Sequence, residues 1–367
     1  MRIDSYMPVR IVSGNGCLKS NEQLLLSVGK KCFIVTGQAS AKKSGALDDV
    51  LEIFNKHSVE YFIFNEIEPN PQTVTCKSAG MKARELDCDY ILGIGGGSVL
   101  DAAKAVAIYH ALPEIKHSEI YNRKAPVSHI PVILIGTTSG TGSEVTGVSV
   151  LTNSDNGLKK SISGPDCYAE LAFCDSKYTK SVPSETKVSA CLDAFSHAVE
   201  AFFASSCNDI VEIYSKKAVS IIAPYIIDNR FDKLNDDDID KLYQASIYAG
   251  LAINIAGTCF PHTVGYYLTE SHNIPHGKAC AAFFDILTDR AKKYCPEKFE
   301  AMEGLISCDF ELFSEKVSKL SDVRINASEE EINRIASRWH DGVKNFDRTP
   351  GGFSYIDARN ALLTLIS

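Results

Sequence analysis

The sequence predicts an α/β domain followed by an all-helical one. Three observations lead there. Short β-rich runs alternate with helical patterns through about residue 180. Beyond about Ser181 the segments become long and helical, without convincing period-two alternation. A chain of 367 residues also exceeds what one ordinary core serves, so two domains are expected, over 1–180 and 181–367.

In the first part, Lys31–Thr36 reads as a buried strand closed by Gly37, and Ser44–Lys56 as a helix. Tyr61–Phe64 is a second strand and Thr73–Glu85 a second helix. Tyr90–Ile94 is a third strand that runs into Gly95-Gly96-Gly97-Ser98. A helix over Asp101–Tyr109 and a strand over Val132–Ile135 follow. Such alternation implies parallel pairing with right-handed crossovers and helices on both faces. The second part holds helical patterns at 186–204, 209–227, 238–256, 259–269, 277–294, 311–320 and 329–345. Ser328, with Glu331 three residues on, resembles a capping box. Asp236, Asp237 and Asp238 read as a helix start whose acidic residues complement the dipole.

Composition narrows the function classes. Apolar content of 45% and charged content of 23% are those of a soluble globular protein. A net charge of −8 argues against a nucleic-acid surface, whose footprint is basic. The apolar runs Tyr90–Ile94, Pro131–Ile135 and Ile221–Ile227 are too short to span a bilayer, and the N-terminus has no apolar core of a secretory signal. The 12 cysteines include no Cys-x-x-Cys, the nearest pair being Cys167 and Cys174. Reduced thiols in a cytoplasm are therefore expected. Cys32, Cys191 and Cys280 fall in apolar runs, where a thiol acts as a small hydrophobe.

Two glycine-rich turns follow predicted strands. Gly95–Ser98 joins strand to helix, where absent Cβ atoms and free helix N–H groups suit a phosphate. Alone it is a weak signal, because neither the Gly-x-Gly-x-x-Gly fingerprint nor a phosphate loop ending in Gly-Lys-Ser/Thr is present. Asp101 would bind ribose hydroxyls or water, or simply complement the helix dipole. Gly136-Thr137-Thr138-Ser139-Gly140-Thr141-Gly142-Ser143-Glu144 is the stronger turn, offering N–H and O–H donors after a buried strand. Ligands of open α/β sheets sit outside the strands' carboxyl ends, so two such turns suggest a dinucleotide.

The metal reading starts from Asp193 and His197. No Pro or Gly interrupts Thr186–Ala204, and apolar residues recur at Val188, Leu192, Phe195, Val199 and Phe202, a helical period. Positions four apart share one helix face, so the carboxylate and the imidazole project together. A pair at this spacing is more often a surface or capping hydrogen bond, but this helix is too apolar to be a solvated face. Adding His262 and His276, the latter in Ile274-Pro275-His276-Gly277, makes an N₃O set suited to Zn, Fe(II), Ni or Co.

Gly95-Gly96-Gly97-Ser98-x-x-Asp101, the Gly136–Glu144 loop, Asp193-Ala194-x-x-His197 and His262 through Pro275-His276-Gly277 together resemble the iron-containing (group III) alcohol dehydrogenases. The likeness runs from Gly14 to about Thr349 with motif order and spacing kept. Gly257-Thr258, Gly265-Tyr266 and Ile274–Gly277 make it nearest to the 1,3-propanediol, butanol and lactaldehyde reductase types. The resemblance implies a Rossmann-like N-terminal domain, a helical C-terminal metal-binding domain, an architecture shared with dehydroquinate synthase, and a cleft between them. It implies Asp193, His197, His262 and His276 as metal ligands, with Fe(II) favoured and Zn possible. Gly96, Gly97, Ser98 and Asp101 would hold the pyrophosphate and its ribose, and Thr137, Thr138, Thr141 and Thr146 would line the cofactor cleft. Lys159 or Lys160, with Lys160 favoured, would touch the nicotinamide ribose. A homodimer is also implied.

The chemistry expected is hydride transfer between nicotinamide C4 and a small aldehyde or primary alcohol, with the metal polarising the C–O bond. His272, four residues before His276, is a candidate proton relay, although a solvent-facing loop histidine explains it equally simply. For the nucleotide, NAD usually calls for an acidic side chain at the end of the first strand. Here Gly37, Gln38, Ala39 and Ser40 stand there with Lys42 and Lys43 close by, which points to NADP(H), NAD(H) being the alternative. Two other readings carry less weight. A dehydroquinate-synthase-like lyase would need extra basic residues around a ligand set whose surroundings here are mostly apolar. A nucleotide-binding protein without catalysis would be expected to have lost a metal ligand, and all four are intact.

Overall fold

The computed structural model of the chain describes residues 3, 5–123 and 125–366. The chain folds as two compact units, one of Tyr6–Val182 with Asp236–Tyr243, the other of Pro183–Asn235 and the residues from Gln244 onward.

The first unit is built on a six-stranded parallel sheet: β1 (Arg10–Ser13), β2 (Lys31–Gly37), β3 (Glu60–Ile67), β4 (Tyr90–Gly95), β5 (Val132–Gly136) and β8 (Leu171–Cys174), in the order β1-β8-β5-β4-β2-β3. Every pairing is parallel. Strands β4 and β5 are buried from end to end, which is why both read as unbroken apolar runs rather than as alternation. Successive side chains of β2 point to opposite faces. Phe33 and Val35 join one core with Cys76, Ala79, Val106 and Leu134. Cys32 and Ile34 join the other with Val50, Phe54, Leu92 and Ile135. Helix α1 (Ala46–His57) therefore covers one face, and α2 (Thr73–Glu85) with α3 (Gly97–Ala111) the other. Each fully buried branched side chain contributes about 1.5–3 kcal/mol relative to exposure. The antiparallel pair β6 (Val148–Thr152) and β7 (Lys159–Ser163) forms a separate two-stranded sheet.

The order of β2, β3 and β4 places the point where the chain reverses direction across the sheet between β2 and β4, because β3 lies outside β2. Crevices at the carboxyl ends of such strands are where α/β sheets bind ligands. Both glycine turns lie there, with Gly95 and Gly136 in register.

The second unit is helical. Its main elements are α4 (Ser184–Phe203), α5 (Asp209–Asp228), α7 (Phe260–His272), α8 (His276–Ala281) and α9 (Phe284–Tyr294), with α6 (Asp236–Ala256) contributing its part from Gln244. The helix expected over 277–294 is two helices, broken at Ala282 and Phe283. No Gly or Pro marks the break; Phe283 is fully buried beside Phe260, so tertiary packing overrides the local pattern. The pattern over 329–345 likewise ends early, at Ala336, and Gly342 carries a left-handed φ of 75°. Ser328 caps the helix Glu329–Ala336 by accepting from the Glu331 N–H at 3.1 Å. Among the described residues all cysteines are free, and no helix is long and apolar enough to cross a membrane.

Candidate metal centre and nucleotide turns

Helix α4 supplies the base of the centre. Asp193, His197 and Glu200 fall on one face at spacings of four and three, and all three are buried. His262 comes from the first turn of α7, which Pro261 opens, and His276 starts α8 directly after Pro275. Asp193 Oδ1 then faces three imidazoles, with His262 Nε2 at 3.7 Å, His197 Nε2 at 3.9 Å and His276 Nε2 at 3.9 Å. His197 stacks on His262 with ring centroids 4.4 Å apart, and Tyr266 lies parallel to His276 at 5.2 Å.

Those O···N separations are too long for hydrogen bonds. Asp193 Oδ1 and His262 Nε2 are buried without any hydrogen-bond partner, at residues only 4% and 3% exposed. Leaving two such atoms unsatisfied costs about 1–3 kcal/mol each. The separations lie a few tenths of an ångström above the ~3.4 Å edge of a tetrahedron of ligands each ~2.1 Å from a shared ion. A divalent cation would satisfy both atoms at once, so the residues present fit a metal. Asp193, His262, His276 and Cys280 also offer donor atoms that all lie within 4.8 Å of one another.

The electrostatics agree. Burial alone would push the Asp193 carboxyl up, but His197, then His262 and His276, outweigh it and hold it far below the ordinary carboxylate range. Burial would push the His262 imidazole down, yet Cys280, Glu200 and Asp193 around it drive it well above the ordinary histidine value. The pocket selects positive charge.

Glu200 carries no clear signal in the sequence. Its Oε1 lies 2.6 Å from His262 Nδ1, and its Oε2 accepts from the Cys259 N–H at 2.9 Å. Accepting from Nδ1–H fixes the tautomer that turns the Nε2 lone pair toward Asp193. Burial raises the Glu200 carboxyl, with His262 opposing. The one available hint is a carboxylate seven residues after Asp193 on an otherwise apolar face. Glu200→Gln is expected to weaken metal binding by roughly 10–100-fold, read as the metal retained through dialysis against a chelator; unchanged retention would remove Glu200 from the account.

His272 is placed differently. It ends α7, and Asn273 follows with a left-handed φ of 54°, so His272 and His276 do not share a helix face. The His272 Nε2 lies 3.0 Å from the Tyr267 hydroxyl, which donates to Glu331 Oε1.

In the α/β unit the two glycine turns abut. The Thr137 N–H donates to the Gly95 carbonyl at 2.9 Å. A Cβ on Gly97 would stand 2.6 Å from Thr141 Cγ2, and one on Gly96 3.3 Å from the Thr138 side chain, so only glycine lets the turns close on each other. The helix α3 starts at Gly97, inside the turn rather than at Asp101. Thr138 and Thr141 are half-buried, and Thr137 is buried with its Oγ1 unpartnered.

Asp101 is engaged within the fold. Its Oδ1 accepts from Ser143 Oγ at 2.5 Å and its Oδ2 from the Val150 N–H at 2.9 Å. Lys104, one turn on and 1% exposed, is ringed by the Ser143, Thr146 and Val148 carbonyls at 2.6, 2.9 and 2.7 Å and by Ser143 Oγ at 2.9 Å. A buried ammonium thus ties α3 to the threonine loop, a role no sequence signal announces beyond a lysine in an apolar helix. Thr146 is buried in the same network. Gly37 ends β2, Ser40 is exposed in the helical turn Ser40–Lys43, and Lys160 Nζ lies over the Tyr121 ring.

Taken unit by unit, a dinucleotide-type sheet and a cation-seeking carboxylate–imidazole cluster are the parts of an oxidoreductase that pairs a nicotinamide nucleotide with a metal. Known proteins bear this out. The family description "Iron-containing alcohol dehydrogenase" matches residues 8–176, and "Fe-containing alcohol dehydrogenase family, C-terminal" matches residues 187–333. The sulfoacetaldehyde reductase of Bilophila wadsworthia (strain 3_1_6) is 30% identical over 314 residues, 83% of this chain and 79% of that protein. The NADPH-dependent butanol dehydrogenase of Clostridium saccharobutylicum is 28% identical over 310 residues, 82% of this chain and 77% of that one. A crystal structure of an iron-containing alcohol dehydrogenase from Thermotoga maritima superposes with a TM-score of 0.91 at 30% identity, covering 99% of each chain. The chain belongs to the iron-containing alcohol dehydrogenase family. It is accordingly a metal-dependent, NAD(P)-linked alcohol dehydrogenase or aldehyde reductase, and the lyase reading is not favoured.

Proposed function

We propose that the chain interconverts a short aldehyde and its primary alcohol, with NADP(H) preferred, and that Asp193, His197, His262 and His276 hold the divalent ion. The observation that carries this is the buried Asp193 Oδ1, without a hydrogen bond and faced by three imidazole Nε2 atoms. When bound, the ion supplies Lewis acidity to the C–O group and the nicotinamide carries the hydride.

The chain's own residues do the rest. Asp193 supplies the carboxylate charge of the set, and Glu200 orients His262. Tyr266 packs flat on His276 and limits its rotation. Phe195, beside Phe284 and Phe313, helps keep water out of the helical core around α4. Gly96, Gly97 and Ser98 present backbone N–H groups at the start of α3 to the pyrophosphate. Thr137, Thr138 and Thr141 line the cofactor side, while Asp101, Lys104 and Thr146 hold that loop in shape. Lys160 is assigned to the nicotinamide ribose. His272, half-exposed and bonded to Tyr267, is the proposed proton relay for the substrate oxygen. His272→Phe should slow aldehyde reduction without changing metal content, and an unaltered rate would exclude it. Residues 1–180 are assigned to dinucleotide binding and 181–367 to metal binding and catalysis; a cytoplasmic homodimer completes the proposal.

Relatives named for sulfoacetaldehyde and for butanol make both a charged and a neutral short aldehyde reasonable substrates. NADPH and NADH oxidation over a panel of such aldehydes tests the reading, and absence of oxidation by every member in the metal-loaded protein would defeat it. Nucleotide choice rests on Gly37 and Ser40. Gly37→Asp sets a carboxylate against a 2′-phosphate, and like-charge juxtaposition costs several kcal/mol, so the NADPH Kd should rise at least ~10-fold more than that of NADH. Gly37→Ala is the control, since any Cβ there meets the Ile67 carbonyl at 3.2 Å. Equal losses for both nucleotides would contradict the preference.

A further inference from the structure

The turn that begins at Gly136 rests on three buried side chains, Glu144, Cys174 and Tyr243. Glu144 closes the threonine loop, Cys174 ends β8, and Tyr243 comes from the part of α6 that belongs to the α/β unit. Cys174 donates weakly to Glu144 Oε1, with sulfur and oxygen 3.9 Å apart. Phenol and carboxyl converge on Gly136. A Cβ added there would collide with Tyr243 Oη and stand 3.2 Å from Glu144 Oε1. The Tyr243 hydroxyl makes no aligned hydrogen bond, and neither does Thr137 Oγ1, next in the chain after Gly136. A buried hydroxyl kept in that state costs stability and calls for a reason.

Burial pushes the Glu144 carboxyl up, against its own backbone N–H, the Tyr243 hydroxyl and Lys104. Burial, then Glu144 and Cys174, drives the Tyr243 phenol well above its ordinary value. The Lys104 ammonium is meanwhile taken by the Ser143, Thr146 and Val148 carbonyls. The base of the loop therefore favours a neutral carboxyl facing a neutral phenol, both set against backbone that has no room for a side chain. Gly136 is in register with Gly95, and the Thr137 N–H donates to the Gly95 carbonyl. Whatever fixes Gly136 also fixes where the Gly95–Ser98 turn begins.

We propose that Tyr243 and Glu144 are positioning residues for the nucleotide: the phenol props the backbone at Gly136, the carboxyl holds the phenol, and together they set the spacing of the two glycine turns. This rests on the reading of those turns as the nucleotide site. Neither residue is given a part in metal binding or in the hydride step.

The test is NADPH titration of the full-length, metal-loaded protein, with kcat at saturating nucleotide, metal content and Tm measured on the same samples. Tyr243→Phe keeps the ring and takes away the oxygen set against Gly136. Its NADPH Kd should rise at least ~10-fold, the size expected when one buried polar partner is removed. Its kcat at saturating NADPH should stay within ~2-fold, the pattern of lost binding without lost transition-state stabilisation, and its metal content should not change. Glu144→Gln preserves a neutral partner for the phenol and should bind NADPH like the unmodified chain, whereas Glu144→Leu should match Tyr243→Phe. Tyr90→Phe is the control, since Tyr90 is also a fully buried phenol with an unpartnered hydroxyl, at the opposite end of β4 from Gly95. Its NADPH Kd should be unchanged. Tyr243→Phe binding as tightly as the unmodified chain, Glu144→Gln as weak as Glu144→Leu, or an equal loss in Tyr90→Phe would overturn the positioning role and leave the nucleotide reading standing. An unmodified chain that binds neither NADPH nor NADH would overturn both.

Discussion

Asp193→Asn is expected to lower aldehyde kcat/KM at least ~10³-fold while changing the nucleotide Kd by less than ~3-fold. The variant keeps the side-chain volume and removes the charge. Asp193 is the carboxylate that all three imidazoles face, and their field already holds it ionised despite burial. An amide leaves the pocket a much weaker cation site. Lewis-acid assistance is worth several kcal/mol of transition-state stabilisation, and about 4 kcal/mol corresponds to ~10³ in rate. Metal analysis and NADPH-binding fluorescence should accompany the kinetics. A variant that is metal-free yet turns over at the original rate would falsify the mechanism.

Gly277→Ala should damage the same centre without touching a ligand. A Cβ at this position would stand 1.8 Å from the Ser189 carbonyl oxygen, 2.7 Å from the Asp193 nitrogen and 2.9 Å from Asp193 Cβ. Two of those atoms are backbone and cannot rotate away. Helix α8 must therefore lift from α4, carrying His276 away from Asp193. Overpacking of this kind costs about 1–3 kcal/mol, occasionally more. The expected result is a lower Tm together with at least a ~10-fold loss of metal affinity, a coupling that simple destabilisation elsewhere would not give. Thermal unfolding with and without added Zn(II) reads it: the metal-induced rise in Tm seen in the unmodified chain should shrink. An undiminished rise would show that the close approach of α8 to α4 is not needed for the site.

The parts that are legible in the sequence are those whose signal is local. Strands β2, β4 and β5 announce themselves as apolar runs because both faces of each are covered. Helix Thr73–Glu85 falls where its pattern predicts. Strands β1 and β8 are only four residues long and are defined by pairing with each other across about 160 residues, while β7, with Lys159, Lys160 and Ser161, carries too few apolar residues to register. Two helices also give no clear sequence signal, Pro296–Glu303 and Tyr355–Leu363, although Ser354 and Asp357 form a reciprocal capping box at the start of the second.

At the candidate site the same division holds. The spacing of Asp193 and His197 is visible because a helix converts four residues into one face. The roles of Glu200 and Lys104 are not, because they are set by His262, 62 residues away, and by carbonyls 39 to 44 residues away. Asp101 is likewise engaged from afar: its second oxygen accepts from the Val150 N–H, 49 residues on. His272 and His276 stand four residues apart, and the left-handed Asn273 between them keeps them off a common helix face. Cys280 reads as one more small apolar residue until the fold sets its sulfur against His276.

Metal dependence is the central claim, and chelation with re-addition tests it most directly. NADPH-linked reduction of the best aldehyde should fall with bound metal during treatment with a chelator. It should then return in proportion to Zn(II) or Fe(II) restored, saturating at one ion per chain, with nucleotide binding intact throughout. Full turnover in protein shown to be metal-free would contradict the account.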